Sequence, residues 1–347
     1  MKISEAIQNW YNQNKRDLPW RNTQDPFKIW LSEIILQQTR VEQGTRYYHK
    51  FVDRFANVSE LANASEEEIL KLWQGLGYYS RARNLHTAAK QIIELHSGVF
   101  PNTHKDILNL KGIGPYTAAA IGSFAFKLPL AVVDGNVYRV LSRLFNEAIP
   151  INSSGGIKLF QNLADALLDK DHPDNHNQAM MEFGSTLCTP KKPDCLNCPL
   201  QNQCLAFDKN TINIRPVKEN KVKITHRYFN YFILISSASD RITIDQRTEK
   251  GIWQNLYQPI LIESDKQLNY QEALALTDFT DHNSVIDYIQ ESSTHKLSHQ
   301  HIHCQSFLIH KPKKSAFNRY NSVALKNLKD YPIPRLVERI FAAFKLF

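Results

Sequence analysis

The chain has 347 residues, with 42 Lys and Arg against 34 Asp and Glu, and a formal net charge of +8. A composition of 42% hydrophobic and 22% charged residues is typical of a globular protein and excludes a disordered or fibrous chain. The apolar runs, such as residues 128–133, fall far short of the roughly 20 residues that a membrane helix needs. Because Glu5 interrupts the apolar pattern of residues 1–15, we expect no secretory signal and a cytoplasmic protein.

The positive excess is unevenly distributed along the chain. Residues 1–208 carry 22 basic and 21 acidic side chains, residues 209–226 carry five and one, and residues 227–347 carry 15 and 12. Half of the net charge therefore lies in the short middle segment, whose polar composition and Pro216 predict a linker. A basic segment favours nucleic-acid binding, although many soluble proteins are mildly basic.

Residues 1–208 have the periodicity of helices, and no stretch in them shows the sustained alternation of a strand. Apolar residues recur at helical spacing between Ile3 and Tyr11. Capping side chains, or a proline suited to the first turn, mark further helix starts. These signals are Asp25-Pro26 before residues 27–38, the capping box at residues 65–68 before residues 69–74, and Thr103.

A glycine turn separates two of the predicted helices. Residues 109–118 read N-L-K-G-I-G-P-Y-T-A, with Pro115 in the first turn of the second helix. We expect Gly112 and Gly114 to adopt backbone conformations that are closed to other residues. Such a turn points amide N–H groups outward at the positive end of a helix, which suits a phosphate, although a plain helix–helix turn has the same pattern.

Four of the five cysteines fall within 17 residues, at the spacing C-x6-C-x2-C-x5-C. They are Cys188, Cys195, Cys198 and Cys204. This clustering predicts a metal site rather than disulfides. Zinc and an iron–sulfur cluster both accept four thiolates, so the spacing leaves the metal open. The fifth, Cys304, lies far away in the sequence, and we expect an ordinary thiol.

Residues 227–347 mix strand and helix signals and predict a smaller α+β domain. Strands are predicted at residues 228–236, 241–246 and 301–310, with a turn at Ser239-Asp240. Helical patterns cover residues 272–275, 284–290 and 333–344. The predicted organisation is therefore a mainly α domain over residues 1–208, a basic linker over residues 209–226 and an α+β domain over residues 227–347.

The hairpin, followed about twenty residues later by Asp134 and then by the four cysteines, resembles the endonuclease III superfamily of DNA glycosylases. Within it, several segments across residues 5–205 are similar to the MutY family of adenine DNA glycosylases. They are L-P-W-R at 18–21, W-L-S-E at 30–33, L-Q-Q-T at 36–39, G-L-G-Y-Y-S-R-A-R-N at 75–84 and N-Q-A-M-M at 177–181. Residues 251–257 and 297–299 resemble parts of that family's Nudix-like domain, which senses 8-oxoguanine. The Nudix box pattern is missing, so we expect no pyrophosphohydrolase activity.

The resemblance implies a mainly α helix-hairpin-helix glycosylase domain, with the hairpin at about residues 104–124, and a Nudix-like C-terminal domain. It implies that the loop at residues 188–204 binds a [4Fe–4S] cluster, a choice that the spacing alone left open. It further implies a monofunctional enzyme that excises adenine paired with 8-oxoguanine or guanine from double-stranded DNA. We expect a monomer without membrane association, in the cytoplasm at the nucleoid.

Two carboxyl groups are the predicted catalysts. Glu33 lies among apolar neighbours one turn before Gln37, which favours a buried position over a solvated helix face. A protonated acid can donate to the purine N7, and an ionised carboxylate can stabilise the cationic sugar. By resemblance, Glu33 is the acid and Asp134 the stabiliser, supported by Tyr116 and Asn136. Tyr116 stands where bifunctional relatives carry a Schiff-base lysine, so we expect no strong lyase step.

The resemblance also implies the DNA contacts. Arg21 and Gln178 would line the adenine pocket, and Lys111 would meet a phosphate beside Gly112 and Gly114. Residues from both parts of the chain would contact the opposite 8-oxoguanine and fill the base stack. These are Gln38, Thr39, Leu76, Tyr78, Leu297, Ser298 and His299.

Three alternatives stay open. Glu33 and Tyr116 disfavour an endonuclease III-like pyrimidine glycosylase. A non-enzymatic iron–sulfur DNA-binding protein would need the hairpin and the cysteines, but not both carboxylates. A structural zinc protein would share only the four cysteines.

Overall fold

The computed structural model describes residues 2–219, 224–236, 240–277, 288–311 and 320–346. Its contacts form two compact units, the first made of Met1–Asn63 and Asn84–Asn220 and the second of Ala64–Arg83 and Lys221–Phe347. Residues 64–83 thus group with the C-terminal part of the chain. The domains predicted from the sequence instead place these residues in the first domain, which ends at residue 208. The mainly helical first unit and the mixed second unit confirm the predicted fold class.

Residues 1–208 form helices joined by short connections, as predicted. In chain order the helices are α1 (Ile3–Asn14), α2 (Pro26–Leu36), α3 (Val41–Arg54), α4 (Val58–Asn63), α5 (Glu66–Leu72), α6 (Ser80–His96), α7 (His104–Asn109), α8 (Pro115–Phe126), α9 (Gly135–Leu144), α10 (Ser154–Leu167), α11 (Pro173–Thr186) and α12 (Leu205–Asp208). Helix α5 and the first turn of α6 belong to the second unit. None of the described helices is long and apolar enough to cross a membrane.

The predicted helix starts are confirmed by their caps. The Asp25 carboxylate accepts a hydrogen bond from the Phe27 N–H at 2.9 Å. The hydroxyls of Ser65 and Thr103 accept from the backbone N–H groups three residues later, at 3.1 Å and 3.2 Å. Helix α2 ends at Leu36 instead of residue 38, because the chain turns there and Gln38 adopts a left-handed φ of 57°.

One hydrophobic core cluster of the first unit joins α1, α9, α10 and α11. Phe160 and Phe183 are fully buried in it, and the ring of Trp10 meets that of Phe183 edge-on at 5.2 Å. Helix α2 packs against α8 in the same unit. This packing holds the N-terminal turns of α8 and α9 close to the middle of α2.

The described part of the predicted linker packs on the first unit. The Ile151 N–H donates to the carbonyl oxygen of Val217 at 3.0 Å, and the Asn152 side chain pairs with the backbone of Glu219 at 2.8 Å and 2.9 Å. Lys221 and Lys223, which supply part of its charge, lie outside the described residues.

The second unit contains a seven-stranded mixed sheet. Its elements after α12 are β1 (Thr225–Ser236), β2 (Arg241–Gln246), β3 (Tyr257–Gln258), β4 (Ile260–Ser264), α13 (Tyr270–Ala275), β5 (Tyr288–Lys296), β6 (Gln300–Lys311), β7 (Asn321–Ala324) and α14 (Arg335–Ala343). The strand order is β3-β2-β1-β6-β5, while β4 pairs with β1 and β7 with β2. Only β1 and β6 are parallel among these described pairs.

The predictions for the C-terminal part are confirmed except at one element. Strands β1, β2 and β6 and helices α13 and α14 lie where the patterns place them, within a few residues. Of the helix predicted at residues 284–290, residues 284–287 lie outside the described residues, as does Ser239 of the predicted turn. Residues 288–290 begin β5 and pair antiparallel with β6, so the helical prediction is wrong there. Their apolar residues are too few to distinguish the helical period from the strand period.

Candidate active site

A cavity of about 480 Å³ in the first unit is lined by residues of α2, α8, α9 and α11 and of the segment before α2. The predicted catalytic residues and the predicted base-binding residues of this unit line it together. They are Arg21, Glu33, Gln38, Thr39, Tyr116, Asp134, Asn136 and Gln178. Side chains that are far apart in the sequence therefore meet at one site.

Glu33 lies in the cavity wall, although it is only 6% exposed. The Tyr116 hydroxyl donates a hydrogen bond to Glu33 Oε2 at 2.8 Å. Burial raises the pKa of Glu33 to about 7, the hydrogen bond from Tyr116 opposes this rise, and the negative charge of Asp134 adds to it. A substantial fraction of the Glu33 carboxyl groups is thus protonated near neutral pH, which general acid catalysis requires.

Tyr116 lies in the first turn of α8. Among the described residues, its hydroxyl hydrogen-bonds to Glu33, whereas the family resemblance predicts that Tyr116 supports Asp134. Burial raises the pKa of its phenol well above the ordinary value. Tyr116 is therefore a neutral donor at physiological pH. Because its donor is directed to Oε2, the Glu33 proton belongs on Oε1.

Asp134 is the N-cap of α9. Its Oδ1 accepts from the backbone N–H groups of Asn136 at 2.8 Å and Val137 at 2.7 Å, and its Oδ2 accepts from Asn136 Nδ2 at 2.7 Å. Burial raises the pKa of Asp134, and these three donors oppose the rise. Since each of these partners donates, and the helix N-terminus is positive, the ionised carboxylate is the form that fits.

Arg139 joins this site to the cysteine loop. Its Nη2 donates to Asn136 Oδ1 at 2.8 Å, and its Nε donates to the carbonyl oxygen of Cys188 at 2.7 Å. The bond fixes the amide of Asn136 so that its Nδ2 faces Asp134. Arg139 is not among the residues predicted from the sequence, although its position five residues after the capping Asp134 places it on the same helix.

Arg16 and Glu182 also line the cavity, and the sequence analysis missed both. The Glu182 side chain is completely buried and forms ion pairs with Arg16 at 2.6 Å and Arg21 at 2.7 Å. Burial opposes ionisation of Glu182, but the hydrogen bonds from both arginines and the charge of Arg21 lower its pKa to about 2. Glu182 follows Gln178 by one helical turn, and this spacing is the one sequence signal that could have identified it.

The hairpin between α7 and α8 has the predicted form, with one correction. Gly112 has φ 78°, and a Cβ atom there would come within 2.6 Å of Asn84 Cβ, so glycine is required. Gly114 has an ordinary extended backbone with φ −98°, so the expectation of a special conformation is wrong there. Among the described residues, the N–H groups of Gly112 and Gly114 have no protein acceptor, whereas the Lys111 N–H donates to Gln91.

The remaining predicted DNA contacts lie in the second unit. Tyr78 is 49% exposed, has a left-handed φ of 49°, and places its hydroxyl oxygen 2.5 Å from Ser298 Oγ. Leu76 is buried at 8% exposure. The Leu297 N–H donates to the Gln300 carbonyl oxygen at 2.7 Å and closes the turn that carries Ser298 and the exposed His299. The structure thus brings Tyr78 and Ser298 together.

The four clustered cysteines line one small cavity of the first unit, together with mainly apolar side chains. Arg143 Nη1 donates to Cys188 Sγ at 3.3 Å, and backbone N–H groups donate to the sulfurs of Cys198 and Cys204. Burial raises the pKa of Cys198 to about 11 and also raises that of Cys204, and these donors oppose the rise. Over the described residues, no three Cys, His, Asp or Glu side chains are arranged to hold a single metal ion. The four thiols share one cavity and are the donor set that an iron–sulfur cluster or a zinc ion takes.

Two family models match the chain. One, described as HhH-GPD superfamily base excision DNA repair protein, matches residues 31–149. The other, described as NUDIX domain, matches residues 230–343. The two matches lie in the helical part and in the sheet-containing part of the chain.

Several relatives are named adenine DNA glycosylase. The chain is 33% identical to that of Buchnera aphidicola subsp. Baizongia pistaciae (strain Bp), over 99% of this chain and 97% of that protein. It is 37% identical to the Arabidopsis thaliana protein over 74% of this chain and 47% of that one. It is 42% identical to the Homo sapiens protein over 58% of this chain and 38% of that one.

Solved structures share the helical fold. A thermostable thymine-DNA glycosylase is 31% identical with a TM-score of 0.56, and the match covers 60% of this chain and 95% of that one. An endonuclease III–DNA complex is 21% identical with a TM-score of 0.52, over 60% of this chain and 94% of that one, and shows the fold alone.

Proposed function

The chain belongs to the adenine DNA glycosylase family, and from that membership we propose that it hydrolyses the N-glycosidic bond of adenine paired with 8-oxoguanine or guanine in double-stranded DNA. It is a base excision repair enzyme that acts on DNA. The observation that supports our assignment of the active site is the pair of carboxyl groups in one cavity. Glu33 has its pKa raised to about 7 by burial, while Asp134 accepts three hydrogen bonds at a helix N-terminus.

The two groups divide the chemistry between them. Glu33 donates its proton to N7 of a flipped adenine, so that the electron pair of the breaking C1′–N9 bond leaves with a neutral base. The Asp134 carboxylate stabilises the positive charge that develops on the sugar. Water then adds to C1′, and its proton passes to the Glu33 carboxylate, which restores the acid. Tyr116 and Asn136 orient the two carboxyl groups.

We propose that the reaction is monofunctional, and the groups at this site support this proposal. Among the described residues that line the cavity there is no lysine amine that could attack the sugar, and the Tyr116 phenol stays protonated. The test is a duplex with adenine opposite 8-oxoguanine, compared with a duplex that contains thymine glycol. We expect release of adenine alone, with strand scission only after alkali. Cleavage of the thymine glycol duplex would contradict the proposal.

We propose that Cys188, Cys195, Cys198 and Cys204 hold a [4Fe–4S] cluster. When bound, the cluster would cross-link the loop at residues 188–204, which Arg139 and Arg143 attach to α9. We expect visible absorption near 400 nm and about four iron atoms per chain in the purified protein. One zinc per chain without this absorption would favour a structural zinc site.

We propose that the lesion is read from both parts of the chain. Gln38 and Thr39 in the first unit, and Leu76 and Tyr78 with the turn at residues 297–299 in the second, would contact 8-oxoguanine, and Lys111, Gly112 and Gly114 would bind phosphate. The Tyr78–Ser298 contact supports this assignment for the second unit. Ser298→Ala should reduce the preference for 8-oxoguanine·A over G·A, and equal preference in the wild type would contradict it.

We further propose that the enzyme acts as a monomer at the nucleoid, where its DNA substrate lies. Sedimentation of the complex with a short duplex should give one chain per DNA. A two-to-one complex would contradict a monomeric enzyme.

A further inference from the structure

The turn between α5 and α6 carries Tyr78 in an uncommon backbone conformation. Tyr78 has a left-handed φ of 49°, which residues other than glycine adopt infrequently, and it is 49% exposed. Gly75 and Gly77 in the same turn also have positive φ values, of 92° and 80°. A left-handed aromatic residue persists only where the surrounding contacts fix it, so the contacts of this turn show what holds Tyr78 in place.

Both peptide groups that flank the Cα atom of Tyr78 accept hydrogen bonds. The carbonyl oxygen of Gly77 accepts from Trp73 Nε1 at 3.0 Å and from Arg81 Nη2 at 3.2 Å. The carbonyl oxygen of Tyr78 accepts from the backbone N–H of Arg81 at 2.9 Å. Since φ and ψ of Tyr78 are the rotations between these two peptide planes, bonds on both sides fix its conformation. Arg81 supplies a donor to each plane.

Arg81 also contacts the ring of Tyr78. Its guanidinium carbon lies 5.7 Å from the centre of that ring and 5.1 Å from the centre of the ring of Trp73, which is fully buried. Burial lowers the pKa of Arg81 to about 10, so the group keeps its charge at neutral pH and attracts both rings. The same side chain therefore holds the backbone and the ring of Tyr78.

We propose that Arg81 is a positioning residue that fixes the exposed Tyr78 ring before DNA binds, and that recognition of 8-oxoguanine through Tyr78 depends on it. A ring that is already ordered loses little conformational entropy when a base contacts it, which strengthens binding. Lysine cannot replace Arg81 in this role, because an ammonium group has neither a flat face for the rings nor a rigid fork of donors. The inference rests on the proposed contact between Tyr78 and the lesion.

A direct contact between Arg81 and a DNA phosphate is the alternative role. The geometry disfavours it, because the guanidinium contacts two rings and Nη2 is directed to the Gly77 carbonyl oxygen. The two roles also predict different behaviour. Loss of a phosphate contact weakens binding to every duplex and reduces the salt slope of binding by about one, whereas loss of a positioning contact weakens binding to the lesion and leaves the slope unchanged.

The test measures affinity for two duplexes, which contain a non-cleavable adenine analogue opposite 8-oxoguanine or opposite guanine. We call the ratio of these affinities the lesion preference. Arg81→Lys should lower the lesion preference about fivefold or more, through loss of a cation–π contact and a hydrogen bond, without a change in the salt slope. The matched control is Arg335→Lys, the same substitution at an exposed position of α14 in the same unit.

A double-mutant cycle gives a readout that a general structural effect would not produce. Tyr78→Ala should lower the lesion preference, and adding Arg81→Lys to it should have no further effect, because Arg81 acts through Tyr78. Additive effects, a reduced salt slope, or an unchanged lesion preference in folded Arg81→Lys would overturn the positioning role.

Two further outcomes are distinguishable. An unchanged lesion preference in Tyr78→Ala would refute the proposed contact of Tyr78 with the lesion, whereas a loss in Tyr78→Ala without a loss in Arg81→Lys would refute only the role of Arg81. If Arg81→Lys does not fold, as a melting curve would show, Trp73→Phe keeps a ring beside the guanidinium but removes the other donor to Gly77. That variant should also lower the lesion preference, and an unchanged preference in it would overturn the inference.

Discussion

Glu33 and Asp134 face the same cavity, but they differ in their positions in a helix and in the number of hydrogen-bond donors around the carboxyl group. Glu33 lies in the middle of α2 among apolar side chains and accepts one hydrogen bond, from Tyr116. Asp134 lies at the N-terminus of α9 and accepts three. Burial raises the pKa of both groups, but only the Asp134 site supplies donors enough to favour the ionised form. The positions in the fold, rather than the side-chain types, therefore support the proposed roles of Glu33 as the acid and of Asp134 as the stabiliser.

Glu182 extends the comparison to a third buried carboxyl group. Two arginines lower its pKa to about 2, against about 7 for Glu33. One cavity thus contains a carboxyl group that can carry a proton at neutral pH and another that cannot.

The largest effect on excision is expected from a substitution of Glu33, the proposed acid. Glu33→Gln keeps the shape of the side chain but has no proton to donate, so excision should fall about 10²- to 10⁴-fold. Binding of duplex DNA should be unchanged, because the amide still fills the same space. Single-turnover excision and a binding titration measure the two, with Glu94→Gln, an exposed loss of the same charge on α6, as the control. A Glu33→Gln variant that excises adenine at a near-normal rate would remove Glu33 from the mechanism.

The second largest effect is expected from a substitution of Asp134, the proposed stabiliser. Asn is also a good N-cap, so Asp134→Asn should preserve α9 while it removes the negative charge. Excision should fall about 10²- to 10³-fold, the usual effect of losing one group that stabilises transition-state charge. The negative charge of Asp134 raises the pKa of Glu33, so its removal should lower that pKa. The fall of the residual activity at alkaline pH should then begin at a lower pH than in the wild type. Undiminished excision would contradict the role of Asp134. An unchanged pH dependence would show that its charge does not affect the pKa of Glu33.

The burial of Glu33 could be predicted from the sequence because its signals are local, whereas the roles of Glu33 and Asp134 come from the family resemblance and stay predictions. Asp25-Pro26 starts α2, and the apolar neighbours of Glu33 indicate its burial. Asp134 precedes α9 directly, where a capping residue stands. The surroundings of Glu182 could not be predicted in this way. Its partners Arg16 and Arg21 lie more than 160 residues earlier, and no local pattern reports a contact between distant segments.

The other differences between prediction and structure have the same physical origin. Residues 65–74 carry a helical pattern, but a pattern does not say with which part of the chain a helix makes its contacts, and here residues 64–83 group with the second unit. Residues 288–290 pair with β6, which outweighs a weak local preference. Gly114 has an ordinary backbone, because the turn needs a left-handed residue only at Gly112.

The third prediction tests the acid side without a substitution. In the proposed mechanism the protonated form of Glu33 is the active one. Because burial raises its pKa to about 7, the activity should be complete below this pH and should be lost as pH rises through it. We expect kcat/KM to fall about tenfold per pH unit above pH 7, since this quantity reports the free enzyme. Binding to a duplex with a non-cleavable adenine analogue should be measured at each pH as the control. A profile that stays flat up to pH 9 would show that Glu33 is not the limiting acid.

The smallest expected effect sharpens the comparison, because it changes the number of donors by one. Tyr116→Phe removes the single hydrogen bond that Glu33 accepts and leaves the ring in place. That bond lowers the pKa of Glu33, so its loss should raise the pKa further and move the alkaline limb of kcat/KM to higher pH. For each protein, the rate at pH 8 is divided by its own maximal rate at lower pH. This fraction should be a few-fold larger for the variant than for the wild type. A limb that moves to lower pH would mean that Tyr116 stabilises the protonated acid, and that the number of donors does not set the difference between the two carboxyl groups.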